Sequence, residues 1–186
     1  MNPWTPDIYE KAWSFSSRQH SGQTYGGRVA GERIEYINHI ASVAMEVIWA
    51  LQANTTADGA LAVQCALLHD TMEDTSASYD LLKQEFGLAV ADGVQALSKN
   101  TALPTKAAQM RDSLDRIRQQ PAEIWMVKMA DRITNLYHPP HYWGDEKILA
   151  YRDEAQLIHD ELLTADFGLA QRLQAKINAY PQFLKK

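Results

Sequence analysis

The chain has 186 residues, 46% hydrophobic and 22% charged, with 18 basic against 23 acidic side chains and a formal net charge of -5. Those values are ordinary for a soluble globular protein, and a chain of this length buries enough surface to fold as one domain, residues 1–186, without disulfides or a structural metal. They exclude a general nucleic-acid binder, which needs a basic face. The lone Cys65 excludes a disulfide framework and any site built from several thiolates. The longest strictly apolar run, Val47–Leu51, is too short to span a bilayer. Near the N-terminus, Asp7, Glu10 and Lys11 interrupt any signal-like apolar stretch, so a cytoplasmic, reducing location is expected.

Taken in chain order, the pattern is helical nearly throughout. Gly22–Glu35, with glycines at 22, 26, 27 and 31, shows no periodicity and reads as a loop. Ile40, Val43, Ala44, Val47, Ile48 and Leu51 form one apolar stripe. Leu61, Cys65, Leu68 and Met72 repeat it, with Thr55 or Thr56 as the expected N-cap. Ser78 is placed to cap a short helix through Phe86, stopped by Gly87, and Leu88–Leu97 follows with its own apolar spacing. Lys99–Pro104 reads as a connector. Pro121 suits the first turn of a helix to about Tyr137, ended by Pro139 and Pro140, and further helices are expected from about Asp145 to Thr164 and from Phe167 to Tyr180. The expected fold class is all-α, a compact multi-helix bundle.

Polar chemistry gathers in three places. His69-Asp70-Thr71-Met72-Glu73-Asp74 ends an apolar helix with an imidazole and three carboxylates, and on a continuing helix His69/Glu73 and Asp70/Asp74 would stack. Such a charge cluster is costly unless neutralised, and a divalent cation with a His and carboxylate shell would do so; the bland alternative is a solvated helix end. On the Pro121 helix, Lys128, Asp131, Asn135 and His138 share a face beside the apolar Trp125, Met129, Ile133 and Leu136. Lys128 and Asp131 there are either a surface pair or groups turned inward toward a ligand. His39, opening the first strong stripe, is the third piece, and on its own a structural histidine serves as well.

These residues carry a resemblance. Ala66-Leu67-Leu68-His69-Asp70-Thr71-Met72-Glu73-Asp74-Thr75 resembles the signature of the HD-superfamily phosphohydrolases, and more narrowly that of RelA/SpoT-type hydrolase domains and small alarmone hydrolases. His20-Ser21-Gly22-Gln23 is similar to the family's H-x-G-Q, Tyr36-Ile37-Asn38-His39 to its Y-I-x-H, and Lys128–Leu136 to its K-x-A-D-R-x-x-N-L. The resemblance implies one divalent metal ion, usually Mn²⁺, held by His39, His69, Asp70 and Asp131. It implies that Glu73 and Asp74 position and deprotonate the attacking water, and that Asn135 contacts the nucleotide sugar. Tyr25, Arg28 and Lys128 complete the substrate-binding candidates. The implied reaction is hydrolysis of guanosine 3′,5′-bis(diphosphate) at its ribose 3′ position, releasing pyrophosphate, as in the stringent response.

The sequence departs from this family at one point. Thr24 and Tyr25 stand where alarmone hydrolases carry an Arg-Lys pair on the guanine, and the segment to His39 is longer, with Arg28 and Arg33 as its cations. That keeps open the same chemistry on an adenine alarmone, a dinucleotide 2′-phosphate or a nucleoside monophosphate, and, in another class, a nucleotide-sensing module without turnover. His138-Pro139-Pro140-His141 cannot place both rings on one helical face, so it reads as a rigid turn or a pocket-lining loop. Lys99, Lys106, Arg111, Lys147, Tyr151 and Arg152 are unspecific candidates for phosphate contacts. The expected partner is a small nucleotide, with no nucleic acid and no membrane; a homo-oligomer stays open.

Overall fold

The computed structural model describes residues 3–185. Its α-helices are α1 (Pro6–Gln19), α2 (Ile37–Leu51), α3 (Gly59–Leu68), α4 (Thr71–Asp74), α5 (Tyr79–Phe86), α6 (Leu88–Leu97), α7 (Lys106–Ile117), α8 (Ala122–Asn135), α9 (Asp145–Leu162) and α10 (Phe167–Ala179). A 3₁₀ turn follows at Tyr180–Phe183, and the all-α expectation holds for the body of the chain. No described helix is long and apolar enough to cross a membrane.

The centre is α3, packed by α1, α2, α6 and α8. All its residues except Leu61 and Gln64 are buried, so its apolar surface runs around the whole helix rather than along a stripe. Its N-cap is Asp58, not the expected Thr55 or Thr56. The Asp58 carboxylate accepts from Leu61 N at 2.9 Å, and its own N–H donates to Glu123 Oε1. Thr56 turns its hydroxyl to Asn54 instead. Close approach of α6 to α3 and α8 depends on Gly93, where a Cβ would stand 2.5 Å from Ile124 Cδ1 and 2.9 Å from Cys65 Sγ.

Ser78 caps α5 through Leu81 N, and Gly87 ends it at φ +90°, as expected. Helix α8 stops at Asn135, earlier than the prolines require, where the Leu136 N–H folds back onto the Arg132, Ile133 and Thr134 carbonyls.

The segment read as an aperiodic loop holds a small antiparallel hairpin, β1 (Thr24–Gly26) with β2 (Arg33–Glu35), Tyr25 facing Ile34. Gly31 at φ +85° turns the connection, and Glu32 closes it by accepting from Arg28 N at 2.7 Å. Gln23 O then accepts from Tyr36 N at 2.9 Å, which ties the hairpin to the start of α2.

Candidate metal centre and nucleotide cleft

The expected i,i+4 stacking of His69 with Glu73 and Asp70 with Asp74 does not form on one helix, because the helix breaks between them. His69 Nδ1 donates to Ala66 O at 2.9 Å and Thr71 Oγ1 to Leu68 O at 2.7 Å, so side chains satisfy the last turn of α3. Asp70 sits at φ -99°, ψ -1° between the two helices, and α4 restarts in a new direction. The break turns His69 and Asp70 inward and leaves Glu73 and Asp74 on the wall of a cleft.

Ligating atoms of His39, His69 and Asp70 lie within 4.8 Å of one another. Asp131 of α8 joins them, its Oδ1 3.5 Å from His39 Nε2. Both imidazoles are held with Nε2 facing the centre. His69 spends Nδ1 on Ala66 O; His39 Nδ1 lies 3.3 Å from Thr134 Oγ1, whose own proton goes to Asp131 O. This is the outer hydrogen bonding that fixes the tautomer of a metal-binding histidine. His69 Nε2 is buried and has no hydrogen-bond partner, although Asp70 Oδ2 lies 3.0 Å away. Two imidazole nitrogens and two carboxylates converging on an orphaned nitrogen fit a divalent cation.

The electrostatics point the same way. Burial works against a charged His69, but Asp70 overrides it and lifts the imidazole to about 9. Burial also opposes the Asp70 and Asp131 anions; His69 beside Asp70, and Lys128 beside Asp131, more than compensate and hold both well below the carboxylate range. Lys128 and Asp131 are therefore no surface pair. Their Nζ–Oδ2 contact of 3.1 Å is buried, and Asn135 Nδ2 donates to the other oxygen at 2.5 Å. Asp74 is raised by burial and by Asp70.

Tyr36, which the sequence marks only as part of the Y-I-x-H segment, bridges the two groups: its hydroxyl lies 2.5 Å from Asp70 Oδ2 and 3.1 Å from Asp74 Oδ2. His20 is buried against its ring, 5.0 Å between centroids, and donates through Nδ1 to Gln23 Oε1, while Gln23 Nε2 holds Asp74 O at 2.7 Å. The H-x-G-Q segment thus props the acidic wall from behind.

The centre opens into a cleft of about 930 Å³. All ten residues expected at the site line it: His39, His69, Asp70 and Asp131; Glu73 and Asp74; Tyr25, Arg28, Lys128 and Asn135. Of the unspecific cations, Lys99, Lys106 and Lys147 reach it, with Tyr151; Arg111 pairs with Glu161 and Arg152 with Asp153 elsewhere. The loop after α8 is pocket-lining through His138, Pro139, Pro140, Tyr142 and Trp143, while the two histidine rings part, His138 onto Phe183 and His141 onto Tyr142. Arg132, which the sequence marks only as part of the K-x-A-D-R-x-x-N-L segment, is buried against the Tyr151 ring and paired with Glu154.

Comparison with known proteins agrees with this geometry. The HD domain family matches residues 12–166. The chain belongs to the HD domain family. Within it, the chain is 28% identical over 178 residues to the guanosine-3′,5′-bis(diphosphate) 3′-pyrophosphohydrolase MESH1 of Danio rerio, covering 94% of each chain. Its identity to the human MESH1 is 30% over 145 residues, 76% of each chain. It also matches, at 31% identity over 68% of its length, an 18% portion of the probable chloroplastic GTP diphosphokinase RSH2 of Arabidopsis thaliana. Among solved structures, one described as a metazoan ortholog of SpoT that hydrolyzes ppGpp superposes with a TM-score of 0.78 at 22% identity, over 94% of this chain and 96% of that one. An HD domain implies binding of a divalent metal, and a His-His-Asp cluster able to hold such an ion is present here.

Proposed function

We propose that this HD-domain protein is a metal-dependent guanosine-3′,5′-bis(diphosphate) 3′-pyrophosphohydrolase. The observation that carries the reading is the convergence of His39, His69, Asp70 and Asp131 at the floor of a cleft walled by carboxylates on one side and cations on others. Its similarity to MESH1 proteins over most of its length supports the same substrate.

His39, His69, Asp70 and Asp131 would hold one divalent ion, Mn²⁺ by the resemblance. When bound, that ion would lower the pKa of a coordinated water and offset negative charge on the phosphoryl oxygens. The chain's own residues do the rest. A carboxylate of the Glu73–Asp74 pair takes the water's proton; burial and the neighbouring Asp70 raise Asp74. The water oxygen then attacks the phosphorus next to ribose O3′. The P–O3′ bond breaks, pyrophosphate departs, and O3′ leaves with a proton as the free hydroxyl. Lys128 and Asn135 orient Asp131. Arg28, Lys106 and Lys147 offer positive charge to the phosphates, and Tyr25 offers an aromatic face to the base.

A second reading has one observation in its favour. Arg33 turns its guanidinium back onto Thr24 Oγ1, through both Nε and Nη2, so the hairpin presents Tyr25 rather than a cation pair to the base. That favours the same chemistry on a nucleotide other than a guanine one.

The deciding experiment measures pyrophosphate release from guanosine tetraphosphate in Mn²⁺ and again in excess chelator. Chelator-sensitive release at enzymatic rates is expected. No release from folded, metal-loaded protein overturns the substrate and moves the reading to the other phosphorylated nucleotides.

A further inference from the structure

Glu73 and Asp74 are neighbours in α4, yet they are held by different means. Asp74 Oδ2 meets the Tyr36 hydroxyl at 3.1 Å. Glu73 has a donor on each oxygen, and both donors belong to Lys99: its backbone N–H on Oε2 at 2.9 Å and its Nζ on Oε1 at 2.8 Å. A single donor leaves a carboxylate free to swing about one oxygen. Two donors on two oxygens fix its plane.

Lys99 is itself anchored. It follows α6, whose C-cap Ser98 closes its hydroxyl onto Val94 O at 2.9 Å. Arg116 reaches across from α7 and donates to Gln95 O, Ala96 O and Ser98 O at 2.6, 2.9 and 2.7 Å, capping carbonyls that a helix end leaves unpaired. Asp112, one turn before it, holds Arg116 at 2.9 Å. The end of α6, and with it the Lys99 backbone, is therefore stapled to α7.

The other cations of the cleft differ. Among the described residues, the side chains of Lys106, Lys147 and Arg28 have no carboxylate partner and are free to meet phosphates; Lys147 lies over the Trp143 ring. Lys99 is spent on Glu73.

We propose that Lys99 is a positioning residue of the hydrolytic site: it clamps the Glu73 carboxylate in the orientation that meets the attacking water, and it is not a phosphate ligand. The inference rests on Glu73 acting beside that water, as the proposed function has it.

Steady-state kinetics on guanosine tetraphosphate with MnCl₂ separates the two roles, using wild type, Lys99→Met, Lys99→Arg, Glu73→Gln and the Lys99→Met/Glu73→Gln double variant. Lys99→Met keeps the backbone bond and loses the ammonium. It is expected to lower kcat by about 10- to 100-fold, the range for groups that orient a metal site's inner residues, with KM changed less than about threefold. The double variant is expected to fall no further than Glu73→Gln alone, because the clamp has nothing left to hold. Lys99→Arg, which keeps a cation, is expected to recover much of kcat. A KM raised tenfold or more with kcat kept, or losses that multiply in the double variant, would overturn the proposal. Unfolding midpoints and Mn²⁺ binding of each variant show whether the fold and metal site persist; should Lys99→Met fail to fold, Lys99→Gln takes its place. The set is repeated on bis(p-nitrophenyl) phosphate, a diester with no nucleoside. If wild type leaves the tetraphosphate intact, the substrate reading fails, and the diester kcat values still decide the clamp.

Discussion

Lys128 and Asp131 face each other with 7% and 13% of their side chains exposed, deep enough that neither charge is well hydrated. Removing one partner leaves the other buried and uncompensated, a loss of about 3–5 kcal/mol in such pairs. Asp131→Ala is therefore expected to lower the thermal midpoint by about 10 °C in a chain of this size. The sign of the pH dependence follows from the depressed Asp131 carboxyl. Its contribution is in full above the unfolded value of about 4 and is lost as pH falls from there toward the lower folded value. Thermal melts of the variant and wild type should converge in acid and diverge at neutral pH; a constant gap would contradict the charge argument. Cys65 gives the opposite case. Burial, with help from Glu123 and Asp58, pushes its thiol far up, so it carries almost no thiolate near neutrality. Ellman's reagent should leave it unlabelled in the folded protein and label it fully in denaturant. A native labelling rate that climbs about tenfold per pH unit would show an accessible, titrating thiol instead.

At the scale of elements, the junction of α3, α6 and α8 turns on Gly93. Its absent side chain lets α6 approach until Ile124 Cδ1 and Cys65 Sγ occupy the space a Cβ would take. Gly93→Val is expected to cost about 1–3 kcal/mol through overpacking, seen as a lower denaturant midpoint at unchanged slope. An unchanged midpoint would mean that α6 can slide without loss. The helices that face the core on one side were legible from their stripes, as Ile40, Val43, Ala44 and Val47 of α2 show by their burial. The hairpin was not, because three-residue strands give alternation too little length to register, and its turn is set by Gly31 and a Glu32 side-chain bond rather than by pattern. The break after Leu68 was hidden for another reason. His69 and Thr71 end α3 by side-chain bonds to its own carbonyls, and neither residue type signals a stop in sequence. At the site, residue types and motif order singled out His39, His69, Asp70 and Asp131 and the acidic pair, which the fold does bring to one cleft. What held them there was out of reach: Tyr36 across to Asp70 and Asp74, Thr134 behind His39, and Lys99 on Glu73 are contacts between segments far apart in the chain.

The whole molecule carries a formal net charge of -5, yet the cleft is ringed by Arg28, Lys99, Lys106, Lys128 and Lys147. A polyanion approaching the cleft meets these cations together with the carboxylates of Asp70, Glu73, Asp74, Asp131 and Glu154, between low-dielectric walls that concentrate the field of whichever charges are left unpaired. Lys99 and Lys128 are committed to Glu73 and Asp131, so the pull on the substrate falls to Arg28, Lys106 and Lys147, the solvent-facing cations that salt screens most readily. Raising NaCl from about 50 to about 200 mM shortens the Debye length from roughly 14 to roughly 7 Å. KM for guanosine tetraphosphate is then expected to rise severalfold while kcat changes little, because the buried pairs around the metal site are screened far less. Lys106→Met should blunt that salt dependence and raise KM at low salt, with Lys147→Met behaving alike. The converse result, kcat falling with salt at constant KM, would place the salt-sensitive charges at the buried site and leave the outer cations without a part in drawing the substrate in.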